Sequence, residues 1–140
     1  QLPVPTAAVF RAKFRAFLVL GLPTALGYFV IAVAWRGGRV GEIVVGAVLL
    51  VGLQLYLFGL TVFLAGFRPN EFLFDTVLFA VFTVAVAVGL VPILIVGLVV
   101  APIDVAAMAA LVALAVILGG VGVGLYRRAV PRWSRRYRTE

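Results

Sequence analysis

The 140-residue chain has no cysteine, no histidine, one methionine and, in Lys13, one lysine. Without cysteine there is no disulfide framework, and thiols say nothing of the redox compartment. Lacking both Cys and His, the chain has no means of His or Cys haem ligation, iron–sulfur ligation or an ordinary zinc site. A histidine general acid–base and a cysteine nucleophile are excluded on the same ground. The remaining residues form no catalytic, cofactor-binding or metal-ligating pattern, so the expectation is a protein that is not an enzyme and holds no cofactor. Charge is scarce too. Only 12% of residues are charged, where a soluble domain carries about 25%. The basic residues are almost all arginine, a skew that a GC-rich prokaryotic genome produces.

What the chain has instead is long apolar runs, with 65% hydrophobic residues. Runs of about 18 or more apolar residues are long enough to cross a bilayer. Four such runs, at about 16–35, 43–67, 71–99 and 103–126, nearly exhaust the length and predict an all-α, four-transmembrane-helix bundle as a single membrane domain. Residues 1–10 carry Pro3 and Pro5 and read as an irregular arm. Gln1 is not an initiating methionine, which fits a processed or trimmed chain. Arg11, Lys13 and Arg15 ahead of an apolar run that ends in Ala32-Val33-Ala34 imitate a signal peptide. The run is longer than a typical signal core and more spans follow it, so a retained first helix is expected. After the second span, Pro69 stops the helix, and Asn70 with Glu71 suits the start of the next. Asp75 lies one turn inside that start, where the helix dipole favours a carboxylate. The uncharged stretch 76–103 is 28 residues, too long for one ordinary span. Pro102 followed by Asp104 supplies the stop and the N-cap that divide it from the fourth helix. Pro92 is expected to kink the third.

Orientation follows from arginine and lysine in the short flanks. With four spans, one side collects Arg11, Lys13 and Arg15, Arg68, and the tail arginines Arg127, Arg128, Arg132, Arg135, Arg136 and Arg138. The other side has only Arg36 and Arg39. Ten against two places both termini in the cytoplasm of a plasma-membrane protein, with Gly37 and Ala129 as natural positions for thiol reporters on opposite sides.

Few residues inside the spans carry chemistry. Gln54 is the only side-chain amide within one. At that depth it marks a helix–helix hydrogen bond or a pathway. Glu71, Asp75 and Arg68 suit a dipole and salt-bridge arrangement at the second connection, and cation or proton binding by the two carboxylates is the alternative. Glu42 and Asp104 read as interfacial caps. No carboxylate lies at mid-span, where a proton-coupled exporter needs one. The six tail arginines, interleaved with Trp133 and Tyr137, suit anionic lipid headgroups better than nucleic-acid phosphates, because they directly follow a membrane helix. Phe58, Phe63, Phe67, Phe72, Phe74, Phe79 and Phe82 crowd around the second connection and read as a lipid-facing surface or a subunit contact.

The fourth helix carries a stripe of small residues: Ala106, Ala110, Ala113, Gly120 and Gly124. Small residues let membrane helices approach closely. The stripe packs either on the chain's own helices or on another chain, and Ala107 lies off it. These features together predict a membrane subunit or scaffold that docks on its own copies or on a larger membrane complex. A small oligomeric channel or transporter, with Gln54 and the Pro92 kink near its path, is the alternative.

Overall fold

A computed structural model describes residues 6–35, 37, 39–66, 76–99 and 104–136. The described residues are all-helical. The first span is α1 (Thr6–Ala16) and α2 (Leu22–Trp35), joined without a break by a π-helical turn at Phe17–Gly21. It is followed by α3 (Val40–Ala65), α4 (Thr76–Val99) and α5 (Val105–Arg136). Four stretches, Ala8–Trp35, Val40–Ala65, Thr76–Ile93 and Val105–Trp133, are long and apolar enough to cross a membrane. No polar or charged side chain among the described residues is buried, while many valines and isoleucines on all four spans are exposed. In water such a surface would drive aggregation; in a bilayer it is the surface that meets lipid. The chain is a multi-pass membrane protein.

Local chemistry sets the helix ends. The Ala107 N–H donates to the Asp104 carboxylate at 2.7 Å, the N-cap that sequence predicts. At α3 the Arg39 N–H donates to the Glu42 carboxylate at 3.4 Å, placing that acid in the first turn where the dipole favours it. The turn after α2 uses Gly37 at φ 72°, and α3 ends at Gly66 with φ 59°, conformations that cost a residue with a Cβ. Pro23 has no N–H, and its ring crowds the carbonyl four residues back. The π turn lies just before it, with the Leu22 N–H reaching five residues back to the Phe17 carbonyl. Thr24, Thr61 and Thr83 each satisfy their hydroxyls on the carbonyl four residues earlier, at 2.5, 2.7 and 2.9 Å, so none presents a bare polar group to lipid.

Two elements depart from the sequence expectation. Residues 6–10, read there as part of an irregular arm, are helical, and Phe10 is fully buried. Burying that ring against Val62, Ala129 and Trp133 offsets the cost of extending the helix beyond the span. Residues 127–136, read as a tail, continue α5 through Pro131. Proline leaves one carbonyl without its helical donor, and the helix is held past it by Trp133, whose indole N–H donates to the Val62 carbonyl at 3.0 Å. Residues 67–75, which include Phe67, Arg68, Phe72, Phe74, Glu71 and Asp75, lie outside the described residues, as do Arg36 and Arg138.

The centre of the fold is α3 against α5. Gly41 lies beside Met108, Gly52 beside Ala115, Gly59 beside Gly122 and Gly66 beside Trp133. Both sets of numbers rise together, so the two helices run parallel. The first span crosses the back of α3 in the opposite sense, with Phe29 at Gly46, Phe17 at Phe58 and Phe10 at Val62. On another side α4 packs through Phe82, Ala85, Val86 and Ile93 onto Tyr56, Leu60 and Leu118. The Tyr56 hydroxyl donates to the Ala85 carbonyl at 2.7 Å.

Candidate functional site

Close approach along the α3–α5 seam depends on missing side chains. A Cβ on Gly59 would meet the Gly122 carbonyl and come within 2.8 Å of its Cα, and one on Gly52 would be 2.9 Å from the Cα of Ala115. From the other side, a Cβ on Gly122 would be 2.6 Å from the Cα of Tyr56. Real Cβ contacts are never so short, so the backbones touch at these levels. This is how membrane helices pack without a hydrophobic drive. Small residues recur every seven positions in both partners, at Gly52, Gly59 and Gly66 and at Ala115, Gly122 and Ala129. That spacing keeps one seam facing its partner over several turns.

The seam is not formed by the stripe singled out from sequence. Ala106, Ala110, Ala113, Gly120 and Gly124 are all exposed. A Cβ on Gly120 or Gly124 would meet nothing within 4 Å. The internal version of the stripe's contact is therefore corrected. Ala107, off the stripe, is 5% exposed and lies on the packed side. Helix geometry explains the exchange: α5 has small residues on several faces, and a stripe alone does not choose its partner. The seven-residue glycine row of α3 has two possible counterparts in α5, Ala106, Ala113 and Gly120 as well as Ala115, Gly122 and Ala129, and the structure pairs it with the second.

Gln54 is half-buried near the middle of α3. It is two residues from Gly52, which turns it to the far side of α3 from the seam. Among the described residues its amide has no hydrogen-bond partner, and its polar atoms are not sealed from their surroundings. The phenylalanines divide. Phe58 belongs to an internal aromatic cluster with Phe14, Phe17 and Tyr126, with ring centroids 4.6 to 5.9 Å apart. Phe63 lies under the Arg132 guanidinium at 5.2 Å, Phe82 packs with α4's partners, and Phe79 is half exposed. The expectation of a lipid or subunit surface is thus replaced, for Phe58 and Phe82, by contacts inside the chain.

Of the tail arginines, Arg127, Arg128 and Arg132 are exposed on the last turns of α5; Arg135 and Arg136 continue the helix. Beside the seam runs an open groove of about 430 Å³, between Val48, Val51 and Leu55 of α3 and Val116, Gly120 and Val123 of α5. Its walls are apolar, and among the described residues the one charged side chain that lines it is Arg127. Such a surface can hold an apolar chain or pack a helix; no group on it performs acid–base or nucleophilic chemistry. No family model matches the chain, and neither curated proteins nor solved structures provide a match.

Proposed function

We propose that the protein is a non-enzymatic integral membrane subunit or scaffold, which docks by helix packing on its own copies or on a larger membrane complex. The observation that carries this reading is the outward placement of Ala106, Ala110, Ala113, Gly120 and Gly124 on α5, opposite a seam already satisfied by other residues. Lipid tails place no demand for Ala and Gly on a helix face, whereas a second helix does. The ten-to-two division of basic residues supports a plasma-membrane protein with both termini cytoplasmic, and the arginines of the last turns then face the anionic leaflet.

Ala113→Leu and Gly120→Leu test the docking face. Each should reduce the mass of the assembly in mild detergent while leaving the chain inserted and folded, since neither adds a clash within the chain. An unchanged assembly would remove the reading. Gln54, with no partner for its amide, favours a second reading as a small oligomeric channel or transporter. Purified protein reconstituted in vesicles separates the two, because a scaffold alone conducts no ion or solute and a channel does.

A further inference from the structure

We infer that the groove beside the α3–α5 seam is a binding site for one anionic membrane phospholipid, an acyl chain lying along the groove with the headgroup phosphate at Arg127. The groove runs on α5 from Ala115 to Arg127. Twelve residues of helix cover about 18 Å at 1.5 Å each. One leaflet of a bilayer's hydrocarbon core is about 15 Å thick, half of the roughly 30 Å whole. The groove thus matches a single leaflet in length. Its charged end is also at the correct depth. Residues 105–126 are uncharged, and Arg127 is the first charge after a stretch of about 33 Å, enough to cross the core.

The chemistry of the walls selects the occupant. Val48, Leu55, Val116 and Val123 offer only apolar contact, and Arg127 is an exposed guanidinium with no partner among the described residues. A guanidinium binds a phosphate through paired N–H donors. An apolar chain ending in a phosphate complements both parts at once. A second copy of the chain fits less well. Two copies meeting face to face through this groove in the same orientation bring Arg127 against its counterpart, while the acids of these helices, Glu42 and Asp104, lie at the opposite end of the bundle. The inference rests on the membrane-spanning fold and the orientation of its basic end. It does not rest on the docking role, because Gly120 alone is shared between groove and stripe.

Native mass spectrometry of the detergent-extracted full chain, titrated with phosphatidylglycerol or with phosphatidylcholine of the same chains, tests it. One phosphatidylglycerol per chain should be retained in preference to phosphatidylcholine. Arg127→Gln should weaken that retention about fivefold, the factor that corresponds to the roughly 1 kcal/mol of a basic residue at an anionic surface. Arg128→Gln removes the same charge from an exposed neighbour that does not line the groove, and should change little. Val123→Phe fills the groove and should lower retention of both lipids without unfolding the chain, a half-exposed position having room for the ring. Equal losses for Arg127→Gln and Arg128→Gln would overturn the site and leave only general attraction to a basic end. Loss of a dimer in Val123→Phe, with lipid retention unchanged, would also overturn it and give the groove to a second copy. Failure of the docking reading is visible separately, as an assembly indifferent to Ala113→Leu.

Discussion

The Val62 carbonyl takes two hydrogen bonds, from the Gly66 N–H at 3.1 Å and from the Trp133 indole at 3.0 Å. The first closes the end of α3, and the second ties the end of α5 to it. Gly66 makes room for the indole: a Cβ there would be 2.9 Å from the ring. Trp133→Phe keeps most of the ring and removes the donor, so it should cost no more than about 1 kcal/mol. Trp133→Ala opens a cavity among Phe10, Val62 and Ala129 and should cost about 3–5 kcal/mol. A thermal scan of the two variants in detergent checks the order; equal losses would mean that the indole bond, not the packing, holds this end. Tyr56→Phe should be milder still. Its bond to the Ala85 carbonyl is of the kind worth about 0.6 kcal/mol on average in membrane proteins, so a large loss there would contradict the placement of α4.

At the scale of elements, the α3–α5 seam and the outward stripe make opposite demands on similar residues. Gly59→Leu and Gly122→Leu must push two backbones apart, at about 1–3 kcal/mol or more, and should lower the melting temperature. Gly120→Leu should leave it nearly unchanged. A reversal of that ranking in the same scan would invert the assignment of faces. The four spans were legible from sequence because uncharged length is a coarse signal that a bilayer makes obligatory. Asp104 was legible as a cap because Pro102 and the following apolar run frame it. The helical extensions were not. Thr6–Phe10 follows two prolines and precedes three basic residues, residues 127–136 carry charge and proline, and the order of both comes from Phe10 and Trp133 burying against a distant part of the chain. Pro23, eight residues into the first apolar run, was the available signal for the π turn. The seam escaped because it is a property of two helices, while a stripe is read along one.

For the whole molecule, packing places the start of the first span and the end of the fourth at one end of the bundle, where Phe10 meets Ala129 and Trp133. Sidedness can be tested with introduced thiols, since the chain has none, but the structure changes where they belong. Ala129 is 0% exposed and would stay silent from either side, and Gly37 has φ 72°, which a cysteine resists. Val40→Cys and Pro131→Cys are both exposed. In intact cells an impermeant reagent should label position 40 and not 131; the reverse would overturn the cytoplasmic assignment of the termini. The central claim is that this bundle is made to be one part of an assembly. The most direct measurement is the mass of the native protein extracted from its own membrane in mild detergent, with bound lipid subtracted. The expected result is a multiple of the mass that one chain shows after denaturation, or a larger complex containing other subunits. A single chain with nothing bound but lipid would contradict it.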